Sequence, residues 1–455
     1  MRDSAQPPSH SATAPEVGRK NAIERALSIL ADVRSGEAAG VLLLALNVFL
    51  LLAAYYLLKT VRESLILGER GAEVKSYSSA AQALLLLLVV PAYSALTSRM
   101  GRMRVMTWVT LLFVVNLVAF YAIGTRGVHE GVPFFIWVGI FNNFIVAQFW
   151  SFANDLYSEE QGKRLFPIIG IGTSVGALAG AQIAGPFIHV AGPYPLMLAA
   201  AGVLLVCLLL TRVIHHRAAA HPREFTSGAA EAPLARVNGF QLLGRDRYLL
   251  LIAILIVLLN VVNTSGEFLL GKLVVASAAH VAGAGLAARE KFIGEFYGNF
   301  FSWVNLIGVL VQMFGVSRIF RQIGVRGSLY VLPVIALVNY SFLLFLPILA
   351  IVRIGKILEN STDYSLMNTV RHALYLPTSR EAKYKAKSAI DTFFVRAGDV
   401  LQAGFVYVGT LLSIGVTGFA AVNLVLAVVW LGVVVAIGRE HRERTYAVAA
   451  AGAAA

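Results

Sequence analysis

The sequence predicts an all-α integral membrane protein of about twelve transmembrane helices, arranged as two six-helix halves. Three observations predict it. Hydrophobic residues make up 58% of the 455-residue chain and charged residues only 14%, whereas roughly a quarter of a soluble globular chain is charged. Apolar windows long enough to cross about 30 Å of hydrocarbon recur along nearly the whole chain. Lys and Arg crowd into alternate connections between those windows, the bias that marks cytoplasmic loops. A spanning segment must satisfy its backbone groups internally, so helices are the expected form.

Taken in order, residues 1–38 begin polar and Pro/Ser-rich and are expected to form a disordered cytoplasmic tail. They do not read as a signal peptide: the first apolar run starts only near Gly40, and no small-residue cleavage site follows it. Six windows then fall near 40–60, 76–97, 104–124, 133–154, 165–190 and 193–214, within an N-terminal bundle over 39–215. A hydrophilic cytoplasmic connector, 216–247, separates them from a second bundle over 248–440. Its windows lie near 248–275, 292–317, 327–346, 347–370, 386–411 and 414–438. Residues 441–455 form a second cytoplasmic tail.

Charge placement sets the expected orientation. Inner connections carry Arg99, Arg102 and Arg104, then Lys163 and Arg164, then Arg318, Arg321 and Arg326, then the run Arg380, Lys383, Lys385 and Lys387. The outer side holds few basic residues, among them Arg70, Lys75 and Arg126, with Lys59 and Arg62 at the outer end of the first helix. Both termini are therefore expected in the cytoplasm of a multi-pass protein of a bacterial inner membrane. These loops account for the net charge of +13 without nucleic acid as a partner. The single cysteine, Cys207, sits in an apolar run, which excludes a disulfide framework or thiolate metal cluster. The histidines show no ligand spacing, and no nucleophile–base set emerges. No metal, no cofactor and no enzymatic activity are expected, and the chain is expected to work as a monomer.

The two halves echo each other. EEQGKRLFPIIGIGTSVGALAG (159–180) aligns with EAKYKAKSAIDTFFVRAGDVLQ (381–402), keeping Glu159/Glu381, Lys163/Lys385, Ile168/Ile390 and Gly176/Gly398. Six plus six helices with a long central inner loop is the outline of the major facilitator superfamily, whose halves rock around a midplane site. The fifth helix carries small residues at intervals of three and four, GIGTSVGALAGAQIAG (170–185), which points to close helix–helix contact. It lacks the turn signals and following Lys-Ser/Thr of a phosphate-cradling loop.

Ionisable side chains inside a span are costly unless they face a cavity or a partner, so they mark the candidate site. Tyr55, Lys59 and Arg62 share a face of the first helix, and Asn143, Ala147, Ser151 and Asn154 form a stripe on the fourth. Asn260, Asn263 or Thr264, and Glu267 do the same on the seventh. Arg353, Lys356, Asn360 and Asp363 share a face of the tenth, with Glu359 beside it. In the facilitator arrangement these four helices line the central cavity. The tenth-helix charges cannot all reach one water interface, since ten residues cover about 15 Å. They are expected to face a water-filled cavity, with internal pairs such as Lys356–Glu359. On the eleventh helix Arg396 and Asp399, spaced i, i+3, suit either a structural pair or a functional one. Arg62, Arg353 and Lys356 are the expected cavity cations for an anionic solute.

Three segments carry a family resemblance: YSLMNTVRHALYLPTSREAKYKAKSAID (364–391), FWSFANDLYSEEQGKRLFPIIGIGTSVG (149–176) and LLKTVRESLIL (57–67). They resemble the ATP/ADP translocases of plastids and obligate intracellular bacteria, the nucleotide transporter family, over about 40–440. The resemblance implies a major facilitator-like fold and ATP-for-ADP exchange. It implies that the family's first-helix basic residue falls on Arg62, the lysine before the tenth-helix exit on Arg371, and the loop lysines on Lys385 and Lys387. It also exposes departures. The family's fourth-helix glutamate has no acidic counterpart in WVGIFNNFIVAQ (137–148), its seventh-helix glutamate falls on Asn263, and its eleventh-helix lysine falls on Asp399.

The expected function is secondary transport of a small anionic solute, a nucleotide foremost, by alternating access. Two alternatives remain open: a proton- or cation-coupled carrier of another metabolite, with Glu267, Glu359 or Asp363 titrating, or a membrane scaffold docking through its basic loops. The run Lys383, Lys385 and Lys387 serves either topology alone or an electrostatic funnel for the solute. A funnel predicts that changing all three to Gln weakens apparent affinity in low-salt uptake assays and hardly at all in high salt. The reason is that the Debye length shrinks from about 10 Å at 0.1 M to about 3 Å at 1 M. Equal affinities at low salt would leave topology as their role.

Overall fold

A computed structural model describes residues 21–28, 31–220, 239–282, 285–379 and 381–454, and among them every regular element is helical. Residues 1–20 of the expected tail, most of the connector and Arg380 lie outside the described residues. The disordered tail is corrected for its described part. Asn21 and Glu24 form a reciprocal capping box on the short helix Ala22–Leu27, and the buried Glu24 carboxylate accepts the Gly36 N–H at 2.6 Å.

The N-terminal half comprises α1 (Ala38–Glu69), α2 (Gly71–Arg99), α3 (Arg102–Gly124), α4 (Gly131–Leu156), α5 (Glu159–Ala191) and α6 (Pro195–Ala220). A short helix, Gly239–Arg245, precedes the second half. That half begins with α7 (Arg247–Ala282), α8 (Leu286–Ser328) and α9 (Val331–Phe345). Next, α10 joins Leu349–Thr362, a wide π-helical turn at Asp363–Met367, and Asn368–Leu374. Two more wide turns, Ala382–Ala386 and Ile390–Phe394, open α11, which continues as Val395–Leu411; α12 is Val416–Ala454. Among the described residues nine helices, α1–α8 and α12, are long and apolar enough to cross a membrane. The other three expected spans differ: α9 is apolar but only 15 residues long, and wide turns interrupt α10 and α11.

Local chemistry fixes the boundaries. Ser158 and Gln161 form a capping box at the start of α5, and Gly192, at φ 81°, ends it. Gly71 has φ 83°, a left-handed conformation that lets α1 pass to α2 with only Arg70 between them. Arg164, one of the basic residues of an expected inner connection, grips Glu37 at the start of α1 at 2.8 Å.

The small-residue stripe of α5 packs as expected. A Cβ at Gly172, Gly176 or Gly180 would collide with the backbone oxygens of Ala45, Phe49 and Ala53 in α1. In the second half Gly398 of α11, the partner of Gly176 in the sequence repeat, leaves room for Asn260 of α7. The halves meet through α5 against α8 and α2 against α11, two contacts that the internal repeat makes equivalent. Gly185 and Gly298 touch backbone to backbone in the first. In the second, Gln402 donates to Ser76 Oγ at 3.3 Å and the rings of Tyr77 and Tyr407 meet edge to face.

On the face that holds the α1–α2 turn, further bonds cross between halves. Ser64 Oγ donates to the Glu290 carbonyl at 2.6 Å, and Lys272 pairs with Glu73 at 2.8 Å. Beside them Glu69 accepts the N–H groups of Glu130 and Gly131 at 3.2 and 2.9 Å. Glu130, just before α4, is buried with both carboxylate oxygens unpartnered. Burial, and then the nearby Glu69 and Glu290, push its pKa from 4.5 up to about 8. The folded state thus holds a proton that the unfolded state loses. The stability it contributes is complete below pH 4.5 and is lost as pH rises through about 8. Glu130→Gln is expected to melt with the wild type near pH 5 in detergent and above it near pH 9; parallel melting curves across that range would refute this.

Candidate functional site

Between the halves lies a cavity of about 320 Å³, walled by α1, α2, α4, α7, α8, α10 and α11. Helical spacing delivers its polar lining: Tyr55, Lys59 and Arg62 stack along one face of α1, and Lys75, Ser79 and Gln82 along one face of α2.

Its charges are arranged in alternation. Arg62 lies 4.5 Å from the Phe135 ring centre and donates from Nε and Nη2 to Glu63 Oε1 at 3.2 and 2.7 Å. Glu63 Oε2 is 2.6 Å from Lys75 Nζ, which in turn lies 4.0 Å from Glu267 Oε2. Glu267 Oε1 accepts from Asn360 at 2.7 Å and stands 3.9 Å from Lys356 Nζ. Lys356 is fully buried behind the lining. It donates to Glu359 Oε2 at 3.0 Å and to the side-chain and backbone oxygens of Asn263 at 2.5 and 3.2 Å. Glu359 also accepts from Asn339 at 2.6 Å and from the Tyr340 hydroxyl at 3.3 Å.

A second group closes the cavity from α11. Asp399 accepts from Asn260 at 2.9 Å and pairs with Arg396 at 3.4 Å. Arg396 Nη2 reaches across to Asn143 Oδ1 of α4 at 3.1 Å, tying the halves together at mid-depth. Lys59 is held differently: its ammonium sits over the rings of Phe301, Tyr56 and Tyr364, at 4.3, 5.0 and 5.8 Å from their centres.

Of the residues singled out in the sequence, Lys59, Arg62, Asn263, Glu267, Arg396 and Asp399 line the cavity. Lys356, Glu359, Asn143 and Asn260 bond to the lining or lie directly behind it. Others are elsewhere, and those expectations are corrected. Arg353 donates to Asn299 of α8 at 2.5 Å and covers Phe296, so it is not a cavity cation. Asn154 is exposed near the end of α4. Asp363 is buried outside the lining, 4.0 Å from Arg371. Lys387 pairs with Asp391 at 2.8 Å in the opening turns of α11, near Lys385. Lys75, Glu63, Tyr364 and Gln402 line the cavity but were not singled out. Lys75 had been counted with the outer side; the signal that could have found it is the i, i+4, i+7 spacing of Lys75, Ser79 and Gln82.

Two helical halves closing on a charged central cavity define a transporter-type membrane fold of the facilitator kind. Solved structures agree on the fold. The chain superposes on the nucleoside transporter NupG with a TM-score of 0.62 at 12% identity, covering 88% of this chain and 98% of that one. A POT family transporter in complex with 5-aminolevulinic acid gives 0.64 at 13% identity, covering 90% and 97%. The family model of the TLC ATP/ADP transporters matches residues 134–441, and the chain belongs to that family. ADP,ATP carrier protein 1 of Chlamydia pneumoniae is 23% identical over 330 residues, 62% of this chain and 62% of its own length. ADP,ATP carrier protein 1 of Chlamydia trachomatis is 25% identical over 334 residues, 62% of this chain and 60% of its own. The chain thus spans somewhat less than two thirds of these relatives. ADP,ATP carrier protein 5 of Rickettsia bellii aligns over 84% of this chain and 88% of its own length at 21% identity.

The burial of Lys356 yields a stability prediction. Lys356→Ala strands Glu359 without its cation, which is expected to cost about 3–5 kcal/mol. Lys356→Met combined with Glu359→Gln removes both charges and is expected to recover most of the loss. Melting temperatures in detergent test this; an unchanged value for the single variant would contradict it.

Proposed function

We propose that this chain is a secondary carrier of anionic nucleotides, exchanging ATP- and ADP-type solutes by alternating access through the cavity between its halves. The convergence of Lys59, Arg62, Lys75 and Arg396 at that interface carries the reading. Cations at the contact of two movable bodies can hold phosphate while the bodies rock. The names of the ADP,ATP carrier relatives support the substrate class. Ser64–Glu290 and Lys272–Glu73 would form the gate on one face, parting as the opposite mouth closes. The basic connections support an inner-membrane protein with both termini in the cytoplasm; a monomer suffices for it, since one chain encloses the cavity.

Proteoliposomes loaded with ATP test it. Uptake of labelled ADP is expected to require the internal nucleotide. Arg62→Ala is expected to lower that exchange by about tenfold or more, because Glu63 loses one of its two cations and its charge then opposes an anionic cargo, and Arg62→Lys is expected to be milder. Uptake indifferent to internal nucleotide but driven by an imposed pH gradient would overturn exchange in favour of proton coupling.

A further inference from the structure

We propose that Lys59 is the phosphate anchor of this cavity, and that it holds a single phosphate group whatever the length of the phosphate chain. The inference rests on the nucleotide reading and adds to it the contact residue and the basis of selectivity.

The argument begins with which cations are already committed. Arg62 spends two donors on one oxygen of Glu63. Lys75 answers the other oxygen of Glu63 and reaches toward Glu267. Arg396 is divided between Asp399 and Asn143. Three lining cations are thus met by three lining carboxylates. Lys59 is the exception: among the described residues it makes no hydrogen bond and no ion pair, although it is 9% exposed.

Its neighbours explain how it persists there. Phe301, Tyr56 and Tyr364 present their rings to the ammonium. The negative face of a ring attracts a cation, but the ring carries no net charge, so the ammonium is stabilised without being neutralised. A buried charge lacking a counter-ion remains unfavourable, and an arriving anion supplies what is missing. Lys59 therefore gains more from a phosphate than Arg62 does, since Arg62 must first release Glu63.

The same balance limits how much phosphate the site reads. With one positive charge in excess, a single phosphate group, which carries about −1.5 to −2 at pH 7, already uses all of it. A second or third meets cations already paired, with Glu63, Glu267 and Asp399 beside them. Affinity is therefore expected to stay level from nucleoside monophosphate to triphosphate.

The test uses the full chain, purified in detergent, with AMP, ADP, ATP and inorganic phosphate as probes in thermal-shift and equilibrium-binding measurements. Wild-type affinities for the three nucleotides are expected to agree within about threefold. Lys59→Met is expected to weaken every probe by about tenfold or more while melting at or above the wild-type temperature without ligand. Lys59→Arg is expected to recover part of the binding. Probes that bind Lys59→Met as they bind wild type would overturn the anchor and leave the nucleotide reading standing. Affinity climbing about tenfold with each added phosphate would overturn the single-phosphate limit. A Lys59→Met protein that melts well below wild type would make the residue structural. Loss of inorganic phosphate binding in Lys59→Met, with no nucleotide competing for it in wild type, would keep the anchor and overturn the nucleotide reading. Failure of wild type to bind any of the four would overturn both.

Discussion

Charges deep in a bilayer protein must find partners, and the alternation Arg62–Glu63–Lys75–Glu267 meets that constraint across the two halves. Each half pairs most of its own charges, and Lys75 to Glu267 at 4.0 Å links the two series. Arg62, Glu63 and Lys75 come from α1 and α2, Glu267 from α7, and Lys356 and Glu359 continue the series behind it on α10. Gathering these groups at one place leaves the outer faces apolar, as exposed Leu88 and Val115 illustrate. Hydrogen bonding to Asn263, Asn339, Tyr340 and Asn360 completes the carboxylate and ammonium shells. Desolvation of the charges is offset there by partners of fixed position, while Asn339 Oδ1 and Asn360 Oδ1 are buried without a hydrogen-bond partner.

Much of this was legible in the chain. The apolar windows located the helices, and the glycine spacing of α5 foretold a close helix contact, which the fold makes with α1. The i, i+3 spacing of Lys356 with Glu359 and of Arg396 with Asp399 foretold both ion pairs. Helical period says which residues share a face, but not which neighbour that face meets. Arg353 and Lys356 therefore read alike, while the fold turns one toward Asn299 and buries the other behind the cavity. Lys75 was hidden for another reason. Because a single residue separates α1 from α2, no loop marks the boundary, and a cavity cation resembles a rim charge. Lys59's surroundings come from Phe301 and Tyr364 on distant helices, which no local pattern records.

The internal repeat is kept in packing more faithfully than in detail. In each half the fifth helix lies against the first, with a small residue at the corresponding contact, Gly176 and Gly398. The second half differs in carrying wide turns within α8, α10 and α11, at Val311–Gly315, Asp363–Met367 and Ile390–Phe394. Such turns recur at functional sites because they loosen the regular ladder of backbone bonds. Here two of them lie close to cavity residues, one beside Asn360 and Tyr364 and one beside Arg396.

The unmatched ammonium of Lys59 also has an electrical meaning. Fixed charges of the lining travel with neither cargo, so the empty cavity bears one more positive than negative charge. Any cargo with more than one negative charge makes the occupied cavity net negative. If two exchanged cargoes differ by one charge, each cycle carries one elementary charge through the membrane field. The transmembrane voltage then favours one direction of exchange by roughly 2.3 kcal/mol per 100 mV. For such a pair of cargoes the direction of exchange would answer to membrane potential as well as to the two concentrations, the fixed lining charge cancelling over a full cycle.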